Sequence, residues 1–427
     1  MKYLTLWPGG QKIKNMNISR RDFLKSGVLF VLSKVLPYKE SLEVLLAEET
    51  PSPTPSLDFP TPDDLFPILK EALRRGGDFS DIYVESTIRR AINFEDGKIK
   101  EISYQVERGI GIRVLQDEGV GYAYVNGFDL KGAMEAAKTA RRITGEGKTL
   151  VVPIPKERKR EKNVIPVLIP LETVSLKERI DVVMRAFEAA QNTGKEIEHV
   201  SVSYEETDKR IMILTSEGFF VRDHQPLIYL IVHAQARRGD KRHRGRRRFS
   251  EKAGFEQFNK KPPEEVAKEA AREAIRMLDA RPCPAGVFPV IVERGWGGVL
   301  FHESVGHGLE ADGIVLGSSY YTGKLGQRVA SPLVTLLDDG TYPNGRGSFN
   351  FDDEGTPSQK TVLIDHGVLV SYMTDVKSAR KLGMKRTGNG RRASYLYPPL
   401  VRMTNTYILK GETPRDDIFR ATKKGLY

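Results

Sequence analysis

Apolar and polar positions between residues 63 and 285 follow two periods, which predict helices and strands in a recurring order. Pro62-Asp63-Asp64 predicts a helix start, because proline suits the first turn and acids stabilise the positive helix end. Helical spacing predicts three further helices, at Leu130–Ile143, Leu176–Gln191 and Pro262–Leu278. Alternating segments predict strands at Asp81–Thr87, Ala91–Phe94, Gly109–Leu115, Gly121–Val125, Val200–Glu205, Arg210–Thr215, Phe219–Val221 and Leu227–Ala236. The order helix, strands, helix occurs twice, so we expect an α+β first domain with an internal duplication.

Residues 286–427 have a different pattern. The chain becomes rich in glycine and aspartate, and its β-like runs are short. These runs predict strands at Phe288–Val292, Leu333–Leu337, Thr361–Ile364 and Val368–Met373. A glycine-rich stretch at 295–298 leads into a helical segment that contains two histidines. We therefore predict a mostly β second domain, into which one helix carrying the candidate active site is set.

The N-terminal segment resembles a targeting signal. Arg20-Arg21, then Phe23-Leu24-Lys25, precede a short apolar run from Gly27 to Leu36, as in twin-arginine export signals. We place this signal at residues 1–48; the alternative is a basic disordered tail that happens to contain two arginines. Five prolines between residues 49 and 62 predict a stiff linker to the mature protein.

The charge and the cysteine content exclude few functional classes. The net charge is +11, but residues 1–39 and 237–248 each contain eight Lys or Arg against one Asp, so the rest of the chain is mildly acidic. The overall charge therefore gives no reason to expect a nucleic-acid partner. The single cysteine, Cys283, excludes an intrachain disulfide and a multi-cysteine metal site within this sequence. Because no run of 18 apolar residues occurs, we expect no transmembrane span.

The basic segment Arg237–Arg248 has two interpretations. Its charge fits a nucleic acid or an acidic surface, and it follows a strongly β-like run. No aromatic residues are interleaved with the arginines, so the segment offers no platform for base stacking. A solvated hairpin loop is therefore the preferred interpretation.

The candidate chemistry lies in the segment His302-Glu303-Ser304-Val305-Gly306-His307, where two of the seven histidines flank an acid. Neutral imidazoles are good ligands for zinc and similar divalent ions. Water bound to such an ion becomes acidic near neutral pH, and a neighbouring carboxylate can accept its proton. The sequence therefore predicts His302 and His307 as metal ligands and Glu303 as a general base. The alternative is that both histidines only form hydrogen bonds near a helix end.

The spacing of the two histidines is unusual. Five residues separate His302 from His307, which is about 140° around a regular α-helix, so the two side chains would not share a face. A π-bulge, with about 4.4 residues per turn, would bring them together, and such bulges favour functional sites. Gly306 and Gly308 make the distortion easier. The sequence therefore predicts either a distorted helix or no metal site.

Four blocks in the second half of the chain together resemble the signature of the TldD/PmbA family of metallopeptidases. They are residues 302–312, 352–357, 388–392 and 402–406. The resemblance implies that His302 and His307 bind the metal and that Glu303 is the catalytic base. It also implies a two-domain α+β fold and action on unfolded or short peptides held as an added β-strand. The resemblance further implies pairing with a related subunit that lacks the metal motif, with a homodimer as the alternative.

The same resemblance implies a third metal ligand that this sequence does not supply. In the family this ligand is a cysteine, located after the equivalent of Lys424–Tyr427, so we expect the sequence to be truncated at its C-terminus. Cys283 lies upstream and does not match that cysteine. Glu310 and Asp312 are the candidate substitutes.

Two further segments of the second domain are candidate binding elements. The glycine-rich segment Gly388-Asn389-Gly390-Arg391-Arg392 resembles a turn that could bind an anion such as a peptide carboxylate. The alternative is that these five residues form only a turn. The acidic run Asp352-Asp353-Glu354 could form a second metal site, but a solvated acidic turn is the preferred interpretation.

The predicted function is hydrolysis of unfolded or short peptides by a metal-dependent peptidase, with zinc as the expected metal and iron as the alternative. The alternative function is a non-catalytic, peptide-binding partner subunit of a heterodimer, and a nucleic-acid-associated protein is the third possibility. Expected partners are the peptide substrate and either a second copy or a related, non-catalytic subunit. The signal predicts export by the twin-arginine route; the family resemblance implies a cytoplasmic alternative.

Overall fold

A computed structural model describes residues 59–144, 149–295 and 297–427. The predicted export signal, residues 1–48, and the first part of the predicted linker lie outside these ranges. Within them, no helix has the length and apolar content needed to cross a membrane.

Residues 59–285 form one large sheet with helices packed on one face. The strands are β1 (Phe79–Glu95), β2 (Lys98–Gln116), β3 (Gly119–Asn126), β4 (Lys156–Glu157), β5 (Ile197–Thr215), β6 (Phe219–Arg238) and β7 (Lys241–Glu251). The helices are α1 (Pro62–Ala72), α2 (Leu130–Ala140), α3 (Leu176–Gln191), α4 (Gln257–Lys260) and α5 (Pro263–Met277). Apart from the two-residue parallel strand β4, neighbouring strands are antiparallel, in the order β3-β2-β1-β5-β6-β4, with β7 paired to the other end of β6.

The predicted order of elements occurs in the structure. Helix, three long antiparallel strands and helix appear once in α1 to α2 and again in α3 to α5. The helices of the two units cover two separate cores: α1 and α2 pack mainly on β1 and β2 with part of β5, whereas α3 and α5 pack on β5, β6 and β7 with the far ends of β1 and β2. The two units join through β1 and β5, which pair from Asp81↔Thr215 to Glu95↔Ser201 and so make one continuous sheet.

The strands are longer than the sequence pattern predicts. Asp81–Thr87 and Ala91–Phe94 belong to the single strand β1, and β2 begins at Lys98, eleven residues before the predicted Gly109. The sequence pattern does not show this continuity, because Arg89 and Arg90 interrupt the apolar alternation. Each is neutralised by a neighbouring strand: Arg89 Nη1 lies 2.7 Å from Glu107 Oε2, and Arg90 Nη1 lies 2.7 Å from Glu206 Oε1.

Residues 286–427 contain short strands joined by long loops. The strands are β8 (Leu336–Asp339), β9 (Lys360–Asp365), β10 (Val368–Leu369), β11 (Gly390–Arg391), β12 (Leu400–Val401) and β13 (Thr406–Ile408). Four of them form a sheet in the order β10-β9-β8-β13, and β11 pairs with β12. The predicted strand Phe288–Val292 is wrong: its residues are mainly exposed, and only a single bridge joins Val290 to Leu426. Without a neighbouring strand its apolar residues gain no sheet burial.

The C-terminal part packs on the open face of the large sheet. Tyr83, Ile213 and Val221 of the sheet contact Phe351 and Tyr395 in a buried apolar cluster. A buried ion pair lies beside this cluster, in which Arg392 Nη2 donates to Asp81 Oδ1 at 2.6 Å. The second half of the chain is therefore held against strands β1, β5 and β6 by both apolar and charged contacts.

Candidate metal centre

The two histidines lie on a helix that changes its winding at the first of them. Helix α6 (Gly298–Phe301) continues into one π-helical turn over His302–Gly306, and a 3₁₀ turn over His307–Leu309 follows. The backbone N–H of His307 donates to the carbonyl of His302, five residues earlier. The distorted helix that the spacing predicts is therefore present.

Gly306 permits close packing behind this turn. A Cβ atom at position 306 would lie 2.2 Å from Met403 Sδ, much closer than non-bonded atoms can approach. The absence of a side chain at Gly306 thus lets Met403 pack directly against the π turn. Leu309 and Ala311, which follow the turn, are fully buried, so the helix end is anchored in the core of the C-terminal part.

The π turn brings the candidate ligands together. At about 4.4 residues per turn, five residues rotate a side chain by about 50° rather than about 140°. The imidazole rings of His302 and His307 are 4.9 Å apart at an interplanar angle of 77°. One ligand atom from each of His302, Glu303 and His307 lies within 4.8 Å of the other two.

This donor set fits a divalent cation. Nitrogen and oxygen donors about 2.0–2.2 Å from a tetrahedral ion are roughly 3.4 Å apart, so small side-chain rotations would close the remaining gap. Imidazole nitrogens are typical ligands of zinc and of iron, so His302 and His307 could hold either ion with the Glu303 carboxylate beside it. In the described ranges, this is the one group of three or more His, Cys, Asp or Glu side chains close enough to share an ion.

Glu303 lies beside His307 and is mainly exposed to solvent. Its side chain is 65% exposed, and its Oε2 atom lies 3.9 Å from His307 Nε2. It is not engaged in the core, so it can contact a water molecule or a substrate beside the two imidazoles. His307 is half-exposed as well, so the site is open to solvent.

Glu310 has a different role from the one considered in the sequence. Its Oε2 atom lies 3.2 Å from His307 Nδ1, the ring nitrogen opposite to the one that faces Glu303. A carboxylate there favours the tautomer with a proton on Nδ1, which leaves Nε2 free to bind a metal. Glu310 therefore contacts His307 on the side away from Glu303 and lies outside the group of possible metal ligands. The signal in the sequence was the three-residue spacing, which places the two side chains on neighbouring turns.

Arg402 and Met403 also form hydrogen bonds with Glu310. Arg402 Nη1 lies 3.3 Å from Glu310 Oε2, and the backbone N–H of Met403 donates to Glu310 Oε1 at 3.3 Å. Burial raises the pKa of Glu310, and the hydrogen bond with His307 and the charge of Arg402 oppose this rise. Asp312 lies 3.4 Å from Arg402 and outside the group of possible ligands, because its side chain points to the same arginine.

The glycine-rich segment Gly388–Arg392 is largely committed to internal contacts. Asn389 is fully buried and donates to Asp338 Oδ2 at 2.7 Å and to the Arg402 carbonyl at 2.9 Å. Arg392 is paired with Asp81. Gly388 has a left-handed φ of 74°, and a Cβ at Gly390 would meet Glu354. Among the five residues, only Arg391 has a side chain that is partly exposed and whose N–H groups lack an acceptor within the described residues.

The preferred interpretation of Asp352-Asp353-Glu354 as a solvated turn is wrong, because all three residues are buried. Asp352 accepts backbone N–H groups, including that of Gly390 at 3.0 Å. Glu354 Oε1 lies 2.7 Å from Arg113 Nη1. Burial raises the pKa of Glu354 to about 7, although the charge of Arg113 opposes this. The run is a structural contact between the two halves of the chain.

The basic segment Arg237–Arg248 forms a hairpin, as expected, but it is not a loop. Strands β6 and β7 pair along it to Arg238↔Lys241, and the turn is at Gly239-Asp240. Acidic residues nearby balance part of its charge: Glu198 Oε1 lies 3.2 Å from Arg237 Nη1, and Glu273 lies against Arg247. The basic residues extend as strand because β7 pairs with β6, and several of the arginines have acidic partners on β5 and α5.

Comparison with known proteins agrees with this arrangement. Models of the PmbA/TldA metallopeptidase domains match residues 80–144 (domain 1), 169–278 (central domain) and 285–427 (C-terminal domain). The chain is 37% identical over 374 residues to the metalloprotease TldD homolog of Buchnera aphidicola subsp. Acyrthosiphon pisum, covering 85% of this chain and 77% of that protein. It is 36% identical to the metalloprotease TldD homolog of Haemophilus influenzae, covering 83% and 74% of the two proteins.

Solved structures share the fold. A putative modulator of a DNA gyrase from Thermotoga maritima has a TM-score of 0.69 at 24% identity, covering 82% of this chain and 78% of that one. TldE from Thermococcus kodakarensis has a TM-score of 0.67 at 19% identity, covering 85% and 81%. At this identity the likeness establishes the architecture alone. The family models and the sequence relatives go further, and from them the chain belongs to the PmbA/TldD family and is a metallopeptidase.

Proposed function

We propose that this protein hydrolyses unfolded or short peptides at a metal centre held by His302 and His307, with Glu303 as the general base. The observation that carries the proposal is the π turn, which gathers these three side chains within 4.8 Å although the spacing is wrong for an α-helix. Zinc is the proposed metal because the donor set suits it, and iron is the alternative.

Each residue has a distinct task in this proposal. His302 and His307 hold the cation, and Glu310 keeps His307 in the tautomer that can do so. A divalent cation bound there would polarise the scissile carbonyl and acidify a water molecule. Glu303 accepts the proton of the attacking water and delivers it to the leaving amine. Its exposure allows both transfers, because it can turn between the water and the amine without breaking a buried contact.

The openness of the site supports an extended substrate. Leu300 and Val299 on the turn before His302 are exposed, and so is Tyr320, which follows on a nearby loop. Apolar side chains beside an open carboxylate and two imidazoles suit a flexible peptide that can lie along them. We therefore propose unstructured or short peptides as substrates, because such chains can lie extended along these side chains.

The test is a peptidase assay on matched substrates. A quenched fluorogenic peptide without structure and a stably folded domain containing the same segment would be incubated with the protein. We expect cleavage of the peptide alone, loss of activity with a chelator, and recovery with zinc or with iron, which identifies the metal. Cleavage that persists in a stripped, metal-free sample would overturn the proposal. A protein that binds no metal and cleaves nothing would favour the non-catalytic subunit instead.

We also propose a partner subunit and an extracytoplasmic location. The fold shared with TldE supports pairing with a related subunit, and a second copy is the alternative.

Arg20-Arg21 supports export by the twin-arginine route. Fractionation of cells that express the full chain tests the location, with Arg20→Lys/Arg21→Lys as the export-blocked control. Equal distribution of the two forms would contradict the export proposal.

A further inference from the structure

Three cationic side chains lie around one buried carboxylate where the large sheet meets the C-terminal part. Lys209 Nζ lies 3.6 Å from Asp353 Oδ1, and Arg391 Nε lies 3.7 Å from Asp353 Oδ2. Lys252 is nearby and buried, and its Nζ has a single hydrogen-bond partner in the described residues, the neutral Gln225 Oε1 at 3.3 Å. Two further acids lie in the same region, because Asp223 interacts with Lys252 and Glu85 interacts with Lys209.

In the described ranges, the carboxylates of this region accept hydrogen bonds from other groups and none from Lys209, Lys252 or Arg391; Glu85, for example, accepts from the Thr87 hydroxyl and the Tyr395 N–H. Asp353 already accepts the backbone N–H of Arg392 at 2.8 Å, and both cations stand beyond ordinary hydrogen-bond distance from it. Asp223 accepts the N–H groups of Asn350 and Phe351 and the amide of Gln225. These two acids are thus bound mainly to neutral donors.

The cations therefore retain donors without acceptors. In the described ranges, the terminal nitrogens of Arg391 have no hydrogen-bond acceptor, and its guanidinium lies 4.8 Å from the Phe349 ring. Burial, and then the positive charges of Arg391 and Lys209, lower the pKa of Lys252 to about 7. Lysine and arginine are rarely buried without a matching anion. The arrangement favours an external anion that reaches Arg391 and Lys209 from the solvent side, where both are partly exposed.

This cluster is linked to the metal centre by one strand pair. Arg391 on β11 pairs with Leu400 on β12, and Arg402 follows two residues later. Arg402 contacts Glu310, which in turn contacts His307. The cationic cluster and the metal centre are thus joined by a short series of contacts through β11, β12 and Glu310.

We propose that Lys209, Lys252 and Arg391 form a carboxylate-binding subsite, which receives either the C-terminal carboxylate or an acidic side chain of the peptide substrate. The proposal rests on the peptidase function proposed above and specifies its substrate class. Arg391 supplies the planar pair of donors that matches a carboxylate, and the two lysines supply charge behind it. Peptides with a carboxylate near the scissile bond are therefore preferred over the same peptides without one.

The test measures binding separately from cleavage. Glu303→Gln protein would be titrated with fluorescent peptides that differ only in a free or amidated C-terminus, and with a second pair that exchanges an internal Asp for Asn. The two pairs distinguish the source of the carboxylate. Loss of the preferred carboxylate should weaken binding by about tenfold or more, as for a charge-assisted bidentate contact. The same comparison in Arg391→Gln should show almost no difference between the paired peptides.

Control variants show whether the effect is specific to the cationic cluster. Arg328→Gln removes an exposed arginine of the same domain that donates to the His366 carbonyl, and it should retain the full preference. Lys209→Gln, also partly exposed, should lose it as Arg391→Gln does. Equal binding of both members of both peptide pairs overturns the subsite, and so does an unchanged preference in Arg391→Gln. Carboxylate-selective binding without any cleavage by the unsubstituted protein would leave the subsite standing and refute only the peptidase function.

Discussion

Replacing Glu310 by Gln changes the metal centre without touching a ligand. Glu310 is nearly buried and serves three donors: His307 Nδ1 and Arg402 Nη1 at one oxygen, and the Met403 N–H at the other. Glutamine has the same volume but offers one oxygen and one NH₂ group. Whichever way the amide turns, its NH₂ group faces a donor, which costs about 1–3 kcal/mol for a buried group.

The consequence for metal binding follows from the orientation of His307. If the NH₂ group faces Nδ1, the ring prefers the tautomer with a proton on Nε2, which blocks the nitrogen that faces Glu303. If it faces the Met403 N–H, the ring keeps its tautomer but loses the carboxylate charge that makes it a stronger ligand. Both outcomes weaken metal binding by roughly 10- to 100-fold, which is about 1.4–2.7 kcal/mol.

The assay is a competition titration of zinc between the protein and a fluorescent chelator, combined with circular dichroism to verify the fold. Asp312→Asn is the matched control, because Asp312 also lies beside Arg402 but does not contact His307. We expect zinc affinity in this variant to equal that of the unsubstituted protein. Unchanged affinity in Glu310→Gln, or the same loss in Asp312→Asn, would refute the orienting role.

Three further predictions concern the fold and the ligands. Arg113→Met leaves the buried carboxylates of Asp81 and Glu354 without their shared cation and should lower the free energy of unfolding by about 3–5 kcal/mol in urea titrations; a change near zero would contradict it. Burial raises the pKa of Glu354 from 4.5 to about 7, so the folded state keeps a proton that the unfolded state has lost and stability falls as pH rises through this window. Glu354→Gln cannot ionise, so its melting temperature should fall less between pH 5 and pH 8, and an unchanged pH profile would count against the assignment. His302→Gln should lose zinc affinity by more than the roughly 100-fold expected for an orienting residue, whereas His366→Gln, a mostly exposed control, should not.

The sequence predicted those features that depend on local spacing. The five-residue interval between His302 and His307 is incompatible with a shared face of an α-helix, and the π turn resolves this conflict. Asp96-Gly97 is a sequence that favours a tight hairpin turn, and both residues adopt the positive φ angles that such a turn requires. The recurring order of helix and strands followed from the two hydrophobic periods.

Features that depend on contacts between residues far apart in the chain could not be predicted from the sequence. Asp352, Asp353 and Glu354 have the composition of a surface turn, and only the buried Arg113, Lys209 and neighbouring backbone N–H groups explain their burial. Nothing in the local pattern identifies such partners, because they come from strands of the first domain. The sequence indicated Arg391 as part of a possible anion-binding turn, but not the proposed contribution of Lys209 and Lys252, because these two residues come from β5 and from the position after β7.

The most direct test of the central claim is the effect of Glu303→Gln on peptide hydrolysis and metal content in the same preparation. The side chain of Glu303 is mainly exposed and the substitution keeps its shape, so the fold and the two imidazoles should remain intact. We predict that the variant retains its metal but loses turnover by roughly 10²- to 10⁴-fold, the range expected for removal of a general base. Hydrolysis at the unsubstituted rate, with the metal still bound, would contradict the assignment of Glu303 and the mechanism built on it.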